Sequence, residues 1–150
     1  MQDQGPFQSC IEKQEKMKKI FEKCETQEAK YEKIIELGKK QKQLDPLLKT
    51  EENLVPGCQS IMYLSVTCKD GLLYFESESD AIISSGLAVL LIDVYNAQAP
   101  ETILKCPPKY LEDLGIPASL TPGRANGLAS LYVRMKKDAL RYYVLLHSKE

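Results

Sequence analysis

The sequence has no tryptophan, one histidine, and no two cysteines separated by a pair of residues. Each gap removes a class of chemistry. His147 is the fourth residue from the end, so a cysteine–histidine hydrolase, which needs a base poised beside its nucleophile, is not expected. Glycine-rich phosphate loops, HExxH zinc sites and paired-carboxylate signatures are all missing. No apolar run approaches the roughly 20 residues that a bilayer span requires, which predicts a soluble globular protein without a membrane partner. The opening MQDQGPFQSC lacks a basic flank followed by an apolar segment, so no secretory signal is read there and the cytoplasm is the expected compartment. The five cysteines, Cys10, Cys24, Cys58, Cys68 and Cys106, are odd in number and irregularly spaced. That argues against a disulfide framework and against a metal site, and for reduced thiols.

The net charge of −1 conceals an uneven distribution. Residues 11–42 carry ten lysines and seven acids (+3), residues 43–113 four lysines and eleven acids (−7), and residues 114–150 six bases and two acids (+4). Such asymmetry can steer a charged partner, although solvated helix faces of mixed sign are the better account of the lysines. The basic residues alternate with glutamates and accompany no nucleic-acid-reading motif, so no nucleic acid partner is expected.

At 150 residues the chain fits one domain, residues 1–150, able to bury roughly two-thirds of its unfolded surface. From Ile11 to Cys24 the residues Met17, Ile20, Phe21 and Cys24 recur at helical spacing. Thr26 then caps a second helix with Tyr31, Ile34, Ile35 and Gly38 on one face, and Asp45-Pro46 ends the pattern. From Ile61 the period changes to two: Met62, Leu64, Val66 and Cys68 share a face, Lys69-Asp70-Gly71 turns, and Leu72 to Glu76 returns. One hairpin is marginal alone, so a third strand or helical cover is expected. Ser79-Asp80 reads as the cap of an all-round apolar, hence buried, helix over Ala81 to Tyr95, in which Gly86 implies a close neighbour. Two short helices follow, from Pro100 to the Pro107-Pro108 pair and from Lys109 to Leu114. Thr121-Pro122 then starts a long helix to about His147 with Leu128, Leu131, Tyr132, Met135, Ala139, Tyr142 and Leu146 as its buried stripe. Arg124 falls in its first turn, against the macrodipole, and is a candidate to meet an anion or carboxylate elsewhere.

The stretch Val55-Pro56-Gly57-Cys58-Gln59-Ser60 is the chemical centre of this reading. Proline and glycine place Cys58 on a turn, where a thiol can meet a reactive sulfur on another protein. Against that stands the ordinary fate of a free cysteine, packing as a small hydrophobe.

The blocks YEKIIELGKK (31–40), VPGCQS (55–60), ESDAIISSGLAVLL (78–91) and LTPGRANGL (120–128) resemble, in order and spacing, the SufE family, including its relative CsdE. The resemblance implies a single SufE-like domain of α+β fold, a small antiparallel sheet covered by helices and similar to the IscU scaffold. It further implies a sulfur acceptor that takes persulfide sulfur from a pyridoxal-phosphate-dependent cysteine desulfurase of the SufS/CsdA kind and passes it to a SufB-like cluster scaffold. The acceptor binds no cofactor of its own and works as a partner of the desulfurase rather than as an independent enzyme. Carried over, Cys58 is the acceptor thiol, with Gly57, Gln59, Arg124 and Asn126 in supporting positions; helix capping and packing account for the latter residues equally well. Ser119 stands where the family often has histidine, and Tyr63 where it usually has tryptophan, so no role for such a histidine carries over. Two other readings remain open: an IscU-like scaffold holding a cluster on converging ligands, and an adaptor that binds a desulfurase without using a thiol.

Overall fold

The computed structural model describes Gly5 and residues 7–148. Among these it has helices α1 (Gln8–Ile20), α2 (Gln27–Lys39), α3 (Ile82–Tyr95), α4 (Pro100–Lys105), α5 (Lys109–Asp113) and α6 (Pro122–His147). The strands are β1 (Met62–Lys69) and β2 (Leu72–Ser79), with 3-10 turns at Pro46–Leu48, Glu51–Asn53 and Pro117–Ser119. The architecture is α+β, and no described helix is long and apolar enough to cross a membrane.

α3 is the axis of the molecule. Eleven of its fourteen residues are buried, so it has almost no solvent face, and α1, α2, α6 and β2 all pack against it. α2 comes closest because two glycines meet at the crossing. A Cβ on Gly38 would lie 2.8 Å from the Gly86 nitrogen, and one on Gly86 would lie 2.7 Å from Cγ2 of Ile34. Glycine is therefore required on both sides of this contact.

The hairpin turns on Asp70 (φ 55°) and Gly71 (φ 79°), two left-handed residues in a row, as a tight two-residue β-turn demands. Register runs from Lys69 opposite Leu72 to Met62 opposite Ser79. Met62, Leu64, Leu73 and Phe75 face inward under α3. No third strand completes the ribbon among the described residues; helices cover it, and single bridges, Leu54 to Tyr63 and Leu73 to Gln98, occupy its two edges. Thr26 and Thr121 cap α2 and α6, their hydroxyls accepting from the amides of Ala29 at 3.0 Å and Arg124 at 3.3 Å.

Several expectations need correcting. α1 stops at Ile20, before Cys24, and Ile20 is 43% exposed while Phe21, the next residue, is buried in the core. β2 continues to Ser79, so Glu78 lies within it, accepting from the Leu44 amide and pairing with Lys49 at 2.6 Å. That contact to Lys49 holds its carboxyl below the usual range. Asp80 caps no helix: its Oδ1 accepts from the Ile61 amide at 3.0 Å, so it clasps the start of the hairpin. Leu146 is exposed, because α6 outruns the core.

Candidate functional site

The segment from Val55 to Ile61 bulges between β1 and the preceding 3-10 turn. Its base is closed by the Val55 amide donating to Met62 at 2.9 Å, and by Arg134, whose Nη1 donates to the Leu54 carbonyl at 2.8 Å. Its far end is closed by Asp80 and by Ser79, whose hydroxyl donates to the Ile61 carbonyl at 2.8 Å. The tip has fewer ties. Gly57 has φ +79°, a left-handed backbone that favours glycine, and a Cβ there would also displace the Ser130 hydroxyl, 2.6 Å away.

Cys58 follows, half-buried, on the loop as the Pro-Gly context predicts. Its Sγ lies 3.8 Å from the Gly127 carbonyl of α6. Cys58, Met62, Ser84, Leu87, Gly127 and Leu131 surround a void of only about 10 Å³. The shelter over the thiol thus comes mainly from α3 and α6, with Met62 the hairpin's contribution. Burial pushes the Cys58 thiol above its ordinary value, so the resting group is the neutral thiol near pH 7. Alkylation of Cys58 by iodoacetamide in the free protein, followed by peptide mass mapping, should accordingly rise with pH through a midpoint above about 8.5. A midpoint below about 7.5 would contradict this environment.

Arg124 meets no carboxylate among the described residues. Its Nη1 donates to the hydroxyls of Ser60 and Ser84, 3.0 Å from each, and those two oxygens are 2.6 Å apart. This ties the residue after next from Cys58 to the first turns of α3 and α6. Gln59 is exposed, and its side chain lies over Gly123, where a Cβ would be 3.0 Å from Cδ. Asn126 is exposed, and its side chain lines a cleft with Pro56 and Gly57. The structure therefore gathers Gly57, Cys58, Gln59 and Arg124 at one place and sets Asn126 on its rim.

Sequence reasoning missed Ser84, Ser130 and Asp80. The repeated small residues of ESDAIISSG are consistent with a close approach, but nothing in the chain says which serine faces the loop. The other cysteines stand apart. Cys10 and Cys106 are buried, and Gln14 Nε2 donates to both sulfurs at 3.6 Å; burial pushes Cys10 up to about 12. No three His, Cys, Asp or Glu side chains converge as a metal site among the described residues.

The family model for SufE, the Fe-S metabolism associated domain, matches residues 15–139. The chain is 33% identical over 125 residues to an uncharacterised SufE-like protein of Synechocystis sp., spanning 81% of this chain and 77% of that one. It is 32% identical over 143 residues to the SufE-like protein 1, chloroplastic/mitochondrial, of Arabidopsis thaliana, covering 95% of this chain but only 38% of that protein. The fold matches the solution structure of a hypothetical protein from Thermus thermophilus with a TM-score of 0.70 at 20% identity, covering 91% of this chain and 96% of that one. With the family model spanning most of its length and relatives above 30% identity, the chain belongs to the SufE family of Fe-S metabolism associated domains.

Proposed function

We propose that the chain accepts sulfur from a pyridoxal-phosphate-dependent cysteine desulfurase onto Cys58, stimulating that enzyme, and delivers the sulfur to an iron–sulfur cluster scaffold. The observation that carries this reading is a half-buried thiol at the tip of a loop pinned at its two ends. Transfer is a thiol exchange. The Cys58 thiolate attacks the terminal sulfur of the donor's cysteine persulfide, the donor's S–S bond breaks, and a new S–S bond forms at Cys58. The donor cysteine leaves as thiolate and takes up the proton that Cys58 gives up, so nothing is oxidised or reduced overall. Because burial holds Cys58 protonated, deprotonation accompanies the thiol's departure from its pocket.

The supporting residues act through position. Arg124 fixes Ser60, and Gly57 gives the turn that aims Cys58. Leu87, Leu131 and Met62 screen the inward side of the sulfur from water at rest, which favours survival of a persulfide between donor and scaffold. The lack of converging ligands among the described residues, with Cys106 buried beside Cys10, does not favour the scaffold reading. Thiols of this kind suit a reducing compartment such as the cytoplasm.

The test is alanine production by a cognate desulfurase given cysteine. Wild-type chain in excess should raise the turnover rate severalfold. No stimulation, with binding demonstrated, would contradict the acceptor role.

A further inference from the structure

Arg134 couples the cysteine loop to a surface the acceptor chemistry does not use. Its Nη1 and Nη2 donate to the carbonyls of Leu54 and Glu52, on the segment leading into the loop, and its Nε lies 3.5 Å from Oδ2 of Asp138. Asp138 is buried, and that oxygen has no hydrogen-bond partner among the described residues. Arg134 lines an open cleft of about 820 Å³, together with Pro56 and Gly57 of the loop and Val133, Lys137 and Arg141 of α6. Three cations and two carboxylates, Glu52 and Asp138, line it; Arg134 and Arg141 both pair with Asp138, at 3.5 and 3.7 Å, which leaves Lys137 as the lining cation without an ion pair among the described residues. From Val133 in its lining, the exposed Leu140 and Val144 beyond it continue the row along one side of α6 with Lys137 between, the three exposed by 56%, 52% and 56%. Aliphatic side chains repeated beside cations on one stripe mark a surface that a partner covers.

We propose that this cleft and stripe are a docking surface for the sulfur-donating desulfurase, receiving an acidic, partly apolar segment of that protein. The inference rests on the acceptor reading. Its geometric ground is continuity: any protein that reaches Cys58 must cover the loop, and the loop's Pro56 and Gly57 line the cleft. Its electrostatic ground is the excess of positive charge, which selects carboxylates. A partner carboxylate meets Lys137 and Arg141 first and then competes with the Leu54 and Glu52 carbonyls for Arg134. Docking thereby loosens the base of the loop that carries the thiol.

The experiment is calorimetric titration of a cognate cysteine desulfurase with the full chain at low and high salt, alongside mass spectrometry of Cys58. Lys137 is exposed and makes no ion pair among the described residues, so Lys137→Glu keeps the fold, which thermal melting checks; Arg141→Gln is the second variant. The expected result is binding weakened roughly tenfold in Lys137→Glu, with a shallower salt dependence and Cys58 still gaining sulfur at saturating desulfurase. Unchanged affinity and salt dependence in both variants, with normal sulfur transfer, would overturn the docking surface and leave the acceptor reading intact. Self-association of the wild-type chain in sedimentation, abolished by Lys137→Glu, would assign the surface to a second copy and overturn the proposal. A wild-type chain that binds the desulfurase but gains no sulfur would overturn the acceptor reading, and this inference with it.

Discussion

Gly86→Ala should unfold far below the wild-type chain, by roughly 10 °C in melting temperature for a domain of this size. Two effects oppose each other at this position. Replacing a mid-helix glycine by alanine gains about 1 kcal/mol of helix propensity. The added methyl, however, would overlap the carbonyl oxygen of Ile34 and sit 2.8 Å from its carbonyl carbon. Those are backbone atoms of α2, which no rotamer change removes. Overpacking a core costs about 1–3 kcal/mol where side chains can adjust, and here the whole helix must retreat, so the net loss should reach at least about 3 kcal/mol. Gly38→Ala, across the same crossing, should behave alike because its Cβ would overlap the Ile82 carbonyl. Thermal unfolding by circular dichroism decides it. A variant as stable as wild type would show that α2 and α3 cross less closely than described.

Cys58→Ser should abolish sulfur acceptance and desulfurase stimulation together while leaving the melting temperature within a few degrees of wild type. Serine is smaller than cysteine and keeps a donor for the Gly127 carbonyl, so packing around the small void changes little. Its hydroxyl does not ionise near neutral pH and forms no persulfide, so the chemistry stops. Desulfurase activity in the presence of excess variant, beside its unfolding curve, separates the two roles. Full stimulation by Cys58→Ser would mean that the chain acts as an adaptor without need of the thiol.

Much of this was legible in the chain because the decisive features are local. Pro56-Gly57 ahead of Cys58 predicts a loop, and the structure has one. Asp70-Gly71 predicts the hairpin, Thr121-Pro122 the start of α6, and Gly86 inside an apolar helix predicts the close neighbour that turns out to be α2. What the chain hid depends on contacts distant in sequence. Arg124 was readable as misplaced against the helix dipole, but its partners, Ser60 and Ser84, lie 64 and 40 residues away. Asp80 has the sequence profile of a helix cap, yet the hairpin's first amide reaches it sooner. Leu146 fits the periodicity of a buried stripe, but periodicity does not reveal where the supporting core ends. The latch made by Arg134 is equally silent in the sequence, since arginine on an amphipathic helix ordinarily means only a solvated charge.

The central claim concerns one atom, the sulfur of Cys58. Incubation of the chain with a cognate desulfurase, cysteine and pyridoxal phosphate, then alkylation and peptide mass spectrometry, measures it directly. The account predicts a single added sulfur on the peptide containing Cys58 and none on those containing Cys10, Cys24, Cys68 or Cys106. Added sulfur on another cysteine, with Cys58 unmodified, would contradict it.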